Sequence, residues 1–246
     1  MGLYDQLAAV SRKRNMRHFS KYEINKDDLK NLLNYESRDG FELIEKDDFE
    51  SMLQYFEQFE IYENLIPILT DNNSNYWCLY VGGKLKGTVC HLSHGEVNLE
   101  PKFKNITKMI NTINNNPNAY DFNELNFQVF DYPKRENEID LDNREVIITE
   151  LLTELEQVSE NKEELRQQLA FSIMALVKSA EIESYVYPLL DDEDMYIQER
   201  AINIIGFHKY EPARNKLIEL TKKAMGNGKS AAERALKELN KNKYSS

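Results

Sequence analysis

The chain has 246 residues, of which 41% are apolar and 30% charged, with 42 acidic against 31 basic side chains and a formal net charge of −11. That balance belongs to a globular protein and excludes a wholly disordered chain. It also disfavours nucleic acid and anionic membranes as partners, because both are gripped through Lys and Arg.

At the start of the chain, residues 1–15 lack the order of a signal peptide, since the basic cluster follows the weakly apolar stretch. The Met-Gly start does not complete a myristoylation signal, because Gln6 stands where Ser or Thr is needed. No apolar run reaches the ~18 residues of a membrane span. Cys78 and Cys90 are expected as reduced thiols. Together these predict a cytoplasmic protein. The cluster Arg12, Lys13, Arg14, Arg17 and Lys21 lacks an aromatic-rich binding motif and reads as a solvated face.

Residues 36–63 carry ten acids and two bases. Within them Phe49, Met52, Leu53, Phe56 and Phe59 fall at the spacing of an amphipathic helix, with Asp47 or Asp48 as N-cap. Pro67 requires that this helix has ended, and a short strand over 66–70 follows. Asp71 to Asn75 is a loop by composition. The run Tyr-Trp-Cys-Leu-Tyr-Val at 76–81 predicts a strand buried on both faces. Trp77, Leu79 and Val81 point one way, and Tyr76, Cys78 and Tyr80 the other. Residues 82–87 turn the chain and 88–92 pair back as a hairpin. Phe103, Ile106, Ile110 and Ile113 predict one helix face, stopped by Asn114-Asn115-Asn116-Pro117. Residues 120–130 fit helix or strand equally.

The runs Leu-Ile-Pro-Ile-Leu-Thr-Asp (65–71), Tyr-Trp-Cys-Leu-Tyr-Val (76–81), Gly-Gly-Lys-Leu-Lys-Gly (82–87) and Val-Cys-His-Leu (89–92) resemble the SUKH superfamily, over about residues 40–115. That group includes the yeast cell-wall-assembly regulator and many bacterial immunity proteins. The resemblance implies an α+β binding module that sequesters a toxin or regulates a partner, with no enzyme activity. The segment before residue 60 departs from the family, since the proline-rich entry to an aromatic-bearing helix is missing.

Residues 133–144 are polar and charged and read as a linker. Beyond them the pattern is helical, apart from a short strand signal at Tyr185, Val186 and Tyr187. The segments 165–173, 197–205 and 231–239 align at offsets of 32 and 34 residues, each after a shorter apolar helix (146–155, 182–190 and 213–220). A repeated helix pair at this period predicts a solenoid. Residues 187–206, with an apolar pair, an acidic turn, a helix bearing small residues and a closing Gly206, resemble a HEAT repeat. The family's second-helix Arg is matched at Arg166 and replaced by Gln198 and Ala232. Gly206 is expected as a C-cap.

Few residues suggest chemistry. Cys90, His91 and His94 form a Cys-His-x-x-His cluster, but His91 and His94 should project to opposite faces of a strand, so neither zinc nor a Cys–His nucleophile is expected. Asp191, Asp192 and Asp194 lack the Gly and closing Glu of a calcium loop. Trp77 reads as core. The expected architecture is an α+β domain over 1–135, with a mainly antiparallel sheet and flanking helices. An all-α HEAT-like solenoid of about three helix pairs follows over 145–246. The expected function is non-enzymatic capture of a basic protein, such as a toxin domain, without cofactor, metal, nucleic acid or membrane. The contact residues expected are Glu50, Glu57, Glu60, Glu63, Asp191, Asp192 and Asp194. A scaffold or regulator built on the repeats is the alternative. A DNA-alkylation repair enzyme on such repeats is a third reading, disfavoured because only the C-terminal stretch is basic.

Overall fold

The computed structural model describes residues 17–95, 97–125, 127–134 and 141–241. The chain divides into two compact units, residues 1–130 and 131–246. Among the described residues no helix is long and apolar enough to cross a membrane.

The first unit is α+β. Its five strands, β1 (Glu42–Leu43), β2 (Leu65–Thr70), β3 (Tyr76–Tyr80), β4 (Val89–Leu92) and β5 (Pro101–Phe103), form one antiparallel sheet in sequential order. Helix α1 (Lys26–Asn34) precedes the sheet, α2 (Lys46–Phe56) lies between β1 and β2, and α3 (Ile106–Asn115) follows β5. The alternation expected along β3 is present. Trp77 and Leu79 join the larger core with Phe49, Ile66, Phe103 and Ile106, while Cys78 joins a second cluster with Phe56, Tyr62, Cys90 and Leu99. Both faces of the sheet are thus covered. In β2 the pairing skips Ile68, so Pro67 faces Cys78 and Leu69 faces Trp77. This irregularity lets Ile66, Ile68 and Leu69 all enter the larger core.

Three local expectations shift. Helix α2 starts one residue before Asp47, with Glu45 at the N-cap making no side-chain cap bond, so Asp47 and Asp48 lie in the first turn, where their charge favours the helix dipole. It ends at Phe56, which leaves Phe59 outside the buried stripe and exposed. Phe103 belongs to β5, and the face of α3 is Ile106, Met109, Ile110 and Ile113. The break between them is made by Asn105, whose side chain accepts the Lys108 N–H at 2.8 Å. The described residues of 120–130 form turns and one 3₁₀ segment at Phe127–Val129.

Long-range side-chain bonds close both ends of α3. The buried Asp28 carboxylate of α1 accepts from the Thr107 N–H at 2.8 Å and its hydroxyl at 2.6 Å. At the far end the Arg38 guanidinium donates to the carbonyls of Ile113, Asn116, Pro117 and Ala119. A cation there satisfies orphan carbonyls and the negative end of the helix dipole together.

The second unit is all helical among its described residues: α4 (Arg144–Gln157), α5 (Glu163–Leu176), α6 (Ile182–Tyr185), α7 (Met195–Phe207), α8 (Arg214–Lys223) and α9 (Gly228–Lys241). Helix α4 packs on α5, α5 on α7, and α9 on both α7 and α8. Tyr185 ends α6 and Tyr187 opens a 3₁₀ turn, so the strand signal there is overridden by helix. Gly206 lies inside α7, and a Cβ there would stand 2.9 Å from the Cα of Ala235 on α9. It is a close-packing glycine. The left-handed residue that closes α7 is Lys209, at φ 52, with the Tyr210 N–H bonded back to the Ile205 carbonyl at 3.1 Å.

Candidate functional site

The acids expected to meet a partner divide into two groups. Glu50, Glu57, Glu60 and Glu63 are all exposed, on α2 and in the turn that follows it. Glu50 pairs with Lys46 at 3.4 Å, an exposed i,i+4 pair of little energetic weight. Glu57 is the C-cap of α2, whose last turn has no base. Glu57 and Glu63 form no ion pair among the described residues.

Beside these acids lies an aromatic shelf. Tyr55 and Phe59 are 44% and 39% exposed, with ring centroids 5.1 Å apart. They rest on buried Tyr62, which in turn meets buried Phe56 at 4.9 Å. The sequence pattern concealed this surface, because Phe59 continues the spacing of the buried stripe past the point where the helix stops. The available signal was Tyr55, which lies off the stripe beside Phe56.

The second group is held within the helical unit. Asp191 pairs with Lys216 at 2.5 Å. Asp192 takes both arms of Arg166, at 3.0 and 2.5 Å, and accepts the Asp194 N–H at 2.9 Å. Asp194 caps α7 by accepting from the amides of Tyr196 at 2.8 Å and Ile197 at 3.1 Å, and it also accepts from Gln167 at 2.7 Å. These carboxylates order the turn before α7 and tie it to α5. Arg12, Lys13 and Arg14 lie outside the described residues, as does the Arg17 side chain. Lys21 sits over the Tyr22 ring at 5.1 Å.

In the Cys-His-x-x-His cluster the pleat separates only Cys90 from His91, because β4 ends at Leu92, before His94. Cys90 faces Cys78 across the β3–β4 ladder, and both are buried free thiols. Burial, with Cys90 alongside, pushes the Cys78 thiol well above its ordinary value. That is the state of an inert structural cysteine. His94 is exposed beyond the end of β4. Among the described residues no group of three His, Cys, Asp or Glu side chains is placed to hold a metal ion.

His91 turns the other way, into a cavity of 230 Å³ lined also by Asp71, Trp77, Asn98, Lys102 and Asp121. Its ring stacks on Phe122, with centroids 4.0 Å apart and planes within 5°, and meets Trp77 edge-on at 4.9 Å. Burial and the Lys102 charge push His91 down to about 4, against the pull of Asp71 and Asp121. It is therefore a neutral imidazole at pH 7, with one donor and one acceptor nitrogen. The cavity carries fixed charge of both signs. Asp71 is raised by burial but brought below the usual carboxylate range by hydrogen bonds from the Asn75 side chain at 2.6 Å and the amides of Asn73 and Asn75. Lys102 pairs with the fully buried Glu100. Neither the ring nitrogens of His91 nor the indole N–H of Trp77 has a hydrogen-bond partner among the described residues. Composition and spacing gave no warning of this cavity, because its lining comes from separate loops and strands.

Comparison with known proteins yields no relative: no family model, no curated protein and no solved structure matches the chain.

Proposed function

We propose that this chain is a non-enzymatic binding module that captures a basic protein on the acidic, aromatic surface at the end of α2. The observation that carries the reading is the exposed Tyr55–Phe59 pair set among Glu57, Glu60 and Glu63. Aromatic anchors with a polar rim are the composition of binding hot spots. Glu57 also stands at the C-terminus of α2, where negative charge opposes the dipole by roughly 0.3–1 kcal/mol. A surface that lowers stability in this way is better accounted for by recognition than by folding. The antiparallel sheet and hairpin of the first unit are compatible with the SUKH-like reading, under which the partner would be a toxin and this chain its immunity protein. The helix pairs of the second unit are compatible with a HEAT-like repeat.

A second reading, the scaffold, is favoured by a separate apolar surface on the helical unit. Met195, Tyr196 and Met225 are 41%, 50% and 37% exposed. A Cβ on Gly226 would lie 3.2 Å from the Met195 sulfur, which places the Met225–Gly226 turn against the start of α7.

The test is capture of partners from the native host, followed by association kinetics of wild type, Glu57→Lys/Glu63→Lys and Phe59→Ser chains. Charge reversal should slow association about tenfold at low salt and much less at high salt, because rim charges act through screened long-range attraction. Phe59→Ser should instead raise the dissociation rate at least tenfold, as loss of a hot-spot anchor does. A partner that binds all three chains alike, and is lost from a Met195→Ser/Tyr196→Ser variant, would move the interface to the helical unit and support the scaffold.

A further inference from the structure

We propose that the cavity beside Trp77 and His91 binds a small zwitterion with the size and charge layout of a free α-amino acid. The site lies apart from the α2 surface and does not depend on what that surface binds. Its volume of 230 Å³ falls below the ~300 Å³ at which pockets for drug-sized ligands begin.

Two independent features point to a ligand. The first is Trp77, which is 2% exposed and lines the cavity, while its indole N–H donates to no atom of the described residues. Its nitrogen is not among the buried unpartnered atoms, so the N–H opens to the cavity, where it needs an acceptor from outside the chain. The second is the charge layout. A carboxylate seated against Trp77 would accept its N–H in the cavity that Lys102 also lines, where the Lys102 ammonium is shared with buried Glu100. On the acidic side, Asp121 uses Oδ1 to accept the amides of Asn123 at 2.8 Å and Glu124 at 3.1 Å, which leaves Oδ2 available to a donor. Asp71 lines the same space, and the neutral His91 adds an acceptor nitrogen. An ammonium satisfies these three. A simple anion would meet the repulsion of Asp71 and Asp121, and a simple cation would offer Trp77 nothing to donate to. A molecule that carries both groups a few ångströms apart complements the whole lining.

Trp77 is the single tryptophan of the chain, so intrinsic fluorescence reads the cavity directly. The full-length protein would be titrated with each of the twenty amino acids, and with the carboxamide and N-acetyl forms of any that respond. The expected result is a saturable fluorescence change with at least one free amino acid, confirmed by calorimetry. Capping either end should weaken binding at least about tenfold, the scale of one charge-assisted hydrogen bond. Asp121→Asn should weaken it by a similar factor without lowering the melting temperature, because an Asn side chain keeps the Oδ1 acceptor for the turn. Trp77→Phe, read by calorimetry, should also weaken binding. Should that core variant fail to fold, Asp121→Asn and the capped ligands still decide the matter. No saturable response to any amino acid up to ~10 mM, or equal binding of capped and free forms, overturns the proposal.

Discussion

Gly40 shows how one atom constrains the first unit. It sits at φ +76, and a Cβ built there would lie 1.5 Å from the Tyr120 carbonyl oxygen and 2.6 Å from its carbon. Both the backbone conformation and the space exclude any other residue, and the obstacle is main chain that cannot rotate away. Gly40→Ala should therefore destabilise by about 2–4 kcal/mol. Gly95→Ala is the control, since Gly95 has no positive φ and nothing within 4 Å of its would-be Cβ. Equal denaturation midpoints for the two variants would show that the Gly40 loop does not pack on Tyr120. Such a constraint is invisible in sequence, because Asp39-Gly40 reads as an ordinary turn and Tyr120 is remote along the chain. The same limit hid the setting of His91. Alternation along β4 separates Cys90 from His91, but it does not say that Phe122 supplies a ring for His91 to stack on.

Elements were legible where their signals are local. The β3–β4 hairpin follows from two apolar runs around a Gly-rich turn, and the strand alternation carried over to the two clusters. The short α1 went unread although Asn25 caps it by accepting the Asp27 N–H at 2.9 Å, a signal available in the sequence. Gly206 misled because a glycine near a helix end can serve as a cap or as a point of close approach, and only the position of Ala235 decides. Composition puts Arg144 at the end of a linker, whereas it is 4% exposed and forms a bidentate joint within the helical unit. Its guanidinium donates to both Glu181 oxygens at 2.7 Å and to the Leu176 carbonyl at 3.2 Å. Burial tends to raise Glu181, but the Arg144 bonds and the Lys178 N–H at 2.9 Å bring it below the ordinary value of 4.5. A carboxyl depressed in the folded state stabilises above its unfolded value, and that contribution fades as pH falls through its folded value. Arg144→Met should therefore cost about 3 kcal/mol at neutral pH, because it strands a partly buried carboxylate. The gap from wild type should narrow as pH drops below 4.5. Urea denaturation from pH 7 to acid measures it, and a gap independent of pH would mean that the pair contributes packing alone.

At the scale of the whole molecule, the separation into two units follows from where apolar residues bury. The sheet of the first unit has clusters on both faces that involve only residues up to Phe130. The boundary at Phe130/Asp131 lies just before the charged, Pro-containing stretch that composition marks as a linker. Composition starts the second unit at residue 145 and counts Lys134 as solvated. In the fold Tyr132 and Lys134 are each 1% exposed, and the Lys134 N–H donates to the Ala175 carbonyl at 2.9 Å at the end of α5. A charge count cannot register such burial. Two units with separate cores should fold apart. Fragments 1–130 and 131–246, expressed separately, should each unfold cooperatively by circular dichroism and denaturant titration. A third fragment, 142–246, keeps every helix but lacks Tyr132 and Lys134. Loss of one fully buried aromatic side chain alone should make it less stable than 131–246 by about 3 kcal/mol. If 142–246 is as stable as 131–246, residues 131–134 are a tether and the second unit begins at α4. If neither fragment folds, the helical unit has no core of its own and the division into two folding units is wrong.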